Sequence, residues 1–221
     1  MQFGALIVAA GMSSRMGEFK PMLNIGSISI AQRIVATLRQ SGVTRIVMVT
    51  GHNAWELEHH LANNGLIFLR NEQYRTTQMF DSAKIGLEYL KDKCDGILFT
   101  PVDIPLFTAS TVSALMDCGA RLVCPVCEGR RGHPILIGTE LVDTILAYRG
   151  EGGLGGAIEH CGAEMTEIAV EDSGILHDAD TPEDYRALLS YHNQQLVRPI
   201  INVELAKEKV FFDRKIAMLL T

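Results

Sequence analysis

The sequence predicts an α/β protein in which a mostly parallel central sheet lies between two layers of helices, a three-layer αβα arrangement. Two observations carry this. Short apolar runs alternate with amphipathic stretches in a β-α-β-α order up to about residue 120, and parallel neighbours need such helical crossovers. The strand candidates "ALIVAA" and "RIVMVTG" are almost wholly apolar rather than alternating, as expected of a sheet covered on both faces.

The elements follow in order. "ALIVAA" (5–10) reads as a buried strand, and "IAQRIVATLRQSG" (30–42) has apolar residues at helical spacing and a glycine stop. "RIVMVTG" (45–51) is the next strand and "AWELEHHLANNG" (54–65) the next helix. "LIFLRN" (66–71), "MFDSAKIGLEYLKD" (79–92) and "GILFTPVD" (96–103) give strand, helix and strand. "TASTVSALMDCG" (108–119) is a helix with a Thr or Ser start. Beyond it the rhythm loosens: "RLVCPVC" and "HPILI" are short strands flanking a polar loop, "ELVDTILAYRG" and "GGLGGAIEHCG" are helical, and "EMTEIAV" is a strand. "TPEDYRALLSYHN" starts a helix with Thr181 as N-cap, Pro182 at its first position and acids in the first turn.

The bulk numbers bound what such a chain can be. With 221 residues, 47% of them hydrophobic, it can fill one core and is too short for two large domains. One domain is assigned to residues 1–195, and residues 196–221 are set apart as a C-terminal extension. A formal net charge of −6 argues against a basic nucleic-acid surface. No apolar run reaches the ~18 residues of a membrane helix, and no signal peptide is read at the start. An odd set of cysteines, at 94, 118, 124, 127 and 161, suits a reduced, cytoplasmic protein better than a disulfide framework.

The chemistry is expected in "LIVAAGMSSRMGEFK", Leu6 to Lys20. In parallel sheets ligands sit beyond the carboxyl ends of the strands, where this loop falls. Gly11 and Gly17 allow close backbone approach to an anion, Ser13 and Ser14 can donate hydrogen bonds, and Arg15 and Lys20 add positive charge. The loop reads as a phosphate cradle, though not as a Walker loop, because the glycine spacing differs and Glu18 stands where the lysine belongs. Asp103 follows a strand and precedes Ile104-Pro105, a place for a carboxylate aimed at the ligand edge. Mg²⁺ takes one or two such carboxylates with phosphate oxygens and water. Asp178 and Asp180 are two apart, so on a strand both would face one way.

These residues carry a resemblance. "VAAGMSSRMGEFKPML" resembles the signature loop of the NTP-transferase family with a Rossmann-like, GT-A-like fold; "TPVDIPLF", "RRGHPILI" and "HDADTPEDY" resemble three further motifs of that family, in order. They are most similar to the branch containing the molybdenum cofactor cytidylyltransferases, in which the doubled alanine, Ala9-Ala10 here, goes with CTP. The resemblance implies transfer of CMP from CTP to the terminal phosphate of a molybdopterin-type acceptor, with Mg²⁺ on Asp103 and Asp180 and with Asp178 less favoured as a ligand. It implies nucleotide contacts along Ala9, Ala10, Gly11, Met12, Ser13, Ser14, Arg15, Gly17 and Lys20, with Ser82 near the base. Arg15, Lys20 and Asp103 would be the catalytic set, and Arg131 and His133 would meet the acceptor. Gln78 stands where the family usually has glycine, and Asn71 matches a family asparagine that could equally shape a turn. A molybdoenzyme or chaperone partner, or a dimer, is compatible with this reading. Two other readings share the cradle: a cytidylyl- or other nucleotidylyltransferase acting on a CDP-alcohol or nucleotide-sugar precursor, and a non-catalytic nucleotide sensor.

Three features are expected to be structural or separate. "CPVC" (124–127) has no second ligand pair and reads as buried cysteines rather than zinc. "EHH" (58–60) reads as a solvated helix. The tail "VFFDRKIAMLL" is similar to the opening of a ModE-type winged-helix DNA-binding domain, too short by itself to bind DNA, and ends in an apolar turn without a C-cap, as a continuing or partner-bound chain would.

Overall fold

A computed structural model describes residues 1–196; the expectation for the ModE-like tail lies outside them. Strand β1 (Phe3–Ala9) opens the chain. A short hairpin, β2 (Asn24–Ile25) and β3 (Ile28–Ser29), leads into α1 (Ile30–Gln40). Then come β4 (Arg45–Thr50), α2 (Ala54–His60), β5 (Ile67–Arg70), α3 (Met79–Leu90), β6 (Gly96–Pro101) and α4 (Ala109–Asp117). The second half holds β7 (Leu122–Cys127), β8 (Arg130–Arg131), β9 (Ile135–Gly138), α5 (Val142–Ala147), α6 (Gly153–His160) and β10 (Thr166–Ala169). A last helix, α7, begins at 182 and reaches the end of the described residues.

The main sheet runs β10-β7-β9-β6-β1-β4-β5, with β8 paired to β7. The pairs β1–β4, β1–β6, β4–β5 and β7–β10 are parallel, whereas β9 is antiparallel to both β6 and β7. The reversed strand has a local cause. Only the seven residues from Glu128 to Pro134 separate β7 from β9, too few for a crossover helix.

Both faces are covered, and β1 shows how. Ala5, Ile7 and Ala9 enter one core with residues of α1, α2, α4 and α7. Leu6 and Val8 enter the other with residues of α3, α5 and α6. Each large apolar side chain buried this way is worth ~1.5–3 kcal/mol. In α1 the inward stripe is Ile30, Ile34, Val35 and Leu38, and the helix opens with a capping box in which the Ser29 hydroxyl accepts from the Gln32 N–H while the Gln32 side chain accepts from the Ser29 N–H. The expected Thr181 cap is present in the same form: Asp184 N–H donates to Thr181 Oγ1 at 3.2 Å and Thr181 N–H donates to the Asp184 carboxylate at 2.9 Å.

The discounted features also have positions. Cys124 and Cys127, three residues apart on β7, are buried in opposite cores and are not a facing pair. Glu58 is less free than a solvated helix residue. It takes both arms of Arg70 and the hydroxyl of Thr50, while His60 Nε2 lies 3.0 Å from Ser29 Oγ. Among the described residues no helix is long and apolar enough to cross a membrane.

Candidate active site

The site forms where β1 and β6, parallel neighbours in register, release the chain at the same sheet edge. From β1 the chain enters the 10–19 loop. Gly51 makes room for its start, because a Cβ there would sit 2.8 Å from the Ala10 carbonyl and 2.7 Å from Tyr74. Ser13 adopts φ 52, and its carbonyl accepts from the N–H groups of Met16 and Gly17, coiling the loop. Its hydroxyl accepts from the Lys20 N–H at 3.3 Å. Met16 is buried and seats the loop on the core. Gly17 has φ +76, a conformation L side chains rarely adopt.

From β6 the chain turns sharply. The strand ends at Pro101, Val102 N–H still reaches Val8 O at 3.0 Å, and Asp103 follows in the turn. The carbonyl of Asp103 accepts from the Ala179 N–H at 3.0 Å. That bond, with the burial of Ala179 in the core, holds the 177–180 segment at the cleft. This segment is not a strand, so the expectation that Asp178 and Asp180 share a face fails: Asp178 is exposed, whereas Asp180 lines the cavity.

The charges converge there. Lys20 Nζ, on a side chain that is only 10% exposed, lies 2.5 Å from Asp180 Oδ1 and 3.8 Å from Asp103 Oδ2. Arg15 reaches the other Asp180 oxygen at 2.6 Å, with its own side chain 70% exposed. Burial pushes the Asp103 carboxyl above its ordinary range against the pull of Lys20. Burial pushes Asp180 the same way, but the hydrogen bond and charge of Lys20, joined by Arg15, outweigh it and hold that carboxyl below the ordinary range.

The two carboxylates are hard oxygen donors with a cation already between them, and a pair of carboxylates completed by phosphate oxygens and water suits Mg²⁺. Among the described residues there is no group of three or more His, Cys, Asp or Glu placed to hold a metal by protein ligands alone. Asp103 and Asp180 could therefore hold a metal together with a phosphate, and less well without one.

A cavity of about 300 Å³ opens above these groups. Ala9, Ala10, Gly11, Ser13, Ser14, Arg15, Lys20, Ser82, Asp103 and Asp180 all line it, as the sequence reading grouped them. Met12 and Gly17 do not: Met12 is half exposed outside it, and Gly17 shapes the loop. A Cβ on Gly11, which lines the cavity, would meet nothing within 4 Å. A further part of the lining comes from Tyr74, Thr77, Gln78 and Met79. The sequence reading passed over all of these except Gln78. They follow β5, so the rule that located the first loop, ligands beyond strand carboxyl ends, also locates this one. Gln78 and Met79 open α3, whose N-terminus presents its positive dipole end to the cavity.

Arg131 and His133 are not brought into this cavity. Arg131 pairs with Glu167 on β10 at 2.6 Å. His133 lies two residues ahead of Ile135, which pairs with Phe99, so it sits at the same sheet edge as Pro101. Its ring packs edge-on to Phe99 at 5.9 Å, and its Nδ1 is buried without a hydrogen-bond partner. Burial pushes its pKa down to about 4, so the ring is neutral near pH 7.

Known proteins are similar to this chain in sequence and in fold. The chain is 27% identical over 183 residues to the molybdenum cofactor cytidylyltransferase of Escherichia coli, covering 81% of this chain and 92% of that protein. It is 30% identical over 119 residues to the bifunctional protein GlmU of Staphylococcus haemolyticus, covering 53% of this chain but only 26% of that longer relative. Among solved structures, a nucleotidyl transferase from Methanothermobacter thermautotroptrophicus superposes with a TM-score of 0.77 at 20% identity, over 88% of this chain and 99% of that one. Rv0371c of Mycobacterium tuberculosis, in complex with manganese, superposes with a TM-score of 0.71 at 20% identity, over 86% of this chain and 99% of that one. The shared frame, including the cradle loop and the turn at Asp103, falls within residues 5–165, which match the MobA-like NTP transferase domain over more than half of the sequence; the chain belongs to that family of nucleotidyltransferases.

Proposed function

We propose that the protein transfers CMP from CTP to the terminal phosphate of a molybdopterin-type acceptor and releases pyrophosphate, with Mg²⁺ required. The observation that carries this reading is the convergence of Lys20, Arg15, Asp103 and Asp180 in a cavity whose other lining residues are uncharged. A triphosphate suits the charged residues and a nucleobase the uncharged ones. The Escherichia coli cytidylyltransferase, matched over nearly its whole length, favours cytidine and the pterin acceptor over other pairs.

In this reading Lys20 and Arg15 exchange their carboxylate partners for phosphate oxygens as the nucleotide enters. Lys20 is nearly buried, so its charge acts in a poorly screened environment, where preorganised electrostatics contribute most. Asp103 and Asp180 would hold Mg²⁺, which when bound supplies positive charge at the α-phosphate and at the departing pyrophosphate. A phosphate oxygen of the acceptor forms the new bond to the α-phosphorus as the bond to the β-phosphate oxygen breaks. The nucleophile is already ionised, so the chain need supply no general base. Its contribution is position and charge.

One observation favours a second reading of the acceptor. Arg131 and His133 lie outside the cavity lining, and His133 is neutral, so neither adds a cation to the site for a pterin phosphate. A phosphorylated alcohol or sugar would use the same cradle and the same carboxylates. Pyrophosphate release measured with each NTP, with and without molybdopterin, separates the readings. CTP-specific release that needs the pterin, and its loss in Asp103→Asn, is the expected result. Release with other phosphorylated acceptors only would sustain the second reading. CTP binding with no release for any acceptor would leave a nucleotide sensor.

A further inference from the structure

The uncharged lining of the cavity contains a hydrogen-bond arrangement with a defined polarity. Asn71, at the carboxyl end of β5, is buried at 5% exposure. Its Oδ1 accepts from the Gln73 backbone N–H at 3.0 Å. A backbone N–H can only donate, so this bond fixes which end of the amide is oxygen. The Nδ2 group then donates both its hydrogens, one to Thr77 Oγ1 and one to Ser82 Oγ, each at 2.9 Å. Thr77 and Ser82 both line the cavity.

The two hydroxyls are left in different states. Thr77 Oγ1 gives its own hydrogen to the Gln73 carbonyl at 2.9 Å, so all it can offer the cavity is a remaining lone pair. Ser82 Oγ, accepting from Asn71, has no other partner among the described residues and keeps its hydrogen to donate. Ser82 is itself only 2% exposed, and an unused donor at that depth calls for an acceptor.

We infer that Asn71 is a positioning residue for base selection: it orders Ser82 as a donor and Thr77 as an acceptor, so that this wall reads an acceptor next to a donor on the nucleobase edge. Cytosine presents that pair, its ring N3 accepting and its N4 amino group donating. Uracil presents the reverse at the same two positions, N3–H and O4. A buried polar site rejects the mismatched partner because both sides are then left unpaired. The inference rests on the reading that the nucleotide base occupies the uncharged part of this cavity. It adds that Asn71, which does not itself line the cavity, sets the polarity.

The test is calorimetric binding of CTP and of UTP, each with Mg²⁺, to the full chain. Asn71→Asp keeps the size and the bond from Gln73, but a carboxylate only accepts. Ser82 and Thr77 must then turn their hydrogens toward it, and Ser82 offers the base a lone pair instead. The preference for CTP over UTP is expected to fall by about tenfold or more, through weaker CTP and unchanged or tighter UTP. Thr77→Val, which removes the acceptor and leaves Asn71 in place, is expected to lower the same ratio, and it answers the question if the aspartate variant folds poorly. Equal weakening of both nucleotides in the two variants would overturn the inference and leave Asn71 a loop brace. CTP binding that survives Lys20→Ala unchanged would instead remove the nucleotide from this cavity, and the proposed function with it.

Discussion

The two cations of the cradle have unequal surroundings. Lys20 bridges both carboxylates from a nearly buried position, while Arg15 holds one of them from a side chain 70% exposed to solvent. Screening weakens the second contact far more than the first. Lys20→Ala is therefore expected to lower kcat for nucleotidyl transfer by about 10²–10³-fold, and Arg15→Ala by roughly tenfold. Steady-state pyrophosphate release checks both, and equal losses would contradict the difference in burial. Much of this centre is visible in "AAGMSSRMGEFK", because glycine, serine and cations in a strand-exit loop already imply a phosphate. That Ser13 spends its hydroxyl on the Lys20 backbone, and that Met12 turns outward, is a matter of loop conformation that the residue types alone leave open.

At the scale of elements, two glycines show how differently close packing and open space constrain the chain. On α3, a Cβ at Gly86 would lie 2.1 Å from a methyl of Leu6, which is fully buried on β1. Alanine favours helix by ~0.8–1.0 kcal/mol, but overpacking a filled core costs ~1–3 kcal/mol. Gly86→Ala is expected to lower the urea midpoint, by driving α3 off the sheet and disturbing the cavity wall at its N-terminus. Gly11→Ala meets nothing, so the same denaturation experiment should show little change while nucleotide binding weakens. A stable Gly86→Ala variant would show that α3 can slide. The helix periods were legible because one face of each is apolar. Neither the reversal of β9 nor the loop structure of 177–180 was, because both depend on which neighbours are within reach: β9 on a tight return after β7, and Asp180 on the bond of Ala179 to Asp103 and its burial in the core.

At the scale of the whole molecule, buried imidazoles tie stability to pH. Burial pushes His133 down to about 4 from an ordinary value near 6.5, and lowers His177 and His192 as well. The unfolded chain thus binds protons below about pH 6.5 that the folded chain refuses. The stability these groups carry is present above that pH and is lost progressively as pH falls toward 4. Urea midpoints from pH 7 to 4.5 should fall less steeply for His133→Gln than for the parent chain; an unchanged slope would mean that the ring is solvated. The amino-acid sequence by itself determined the α/β class and the strand and helix order, and it marked the loop and the carboxylates proposed to serve a phosphate, since periodicity and local residue chemistry act over a few neighbours. Only the tertiary structure decided that Asp180 pairs with both Lys20 and Arg15, that Arg131 turns to Glu167, and that Asn71 orders the hydroxyls of the cavity wall. Those contacts join segments that come together only when the sheet is assembled, and a chain read residue by residue carries no record of their distances.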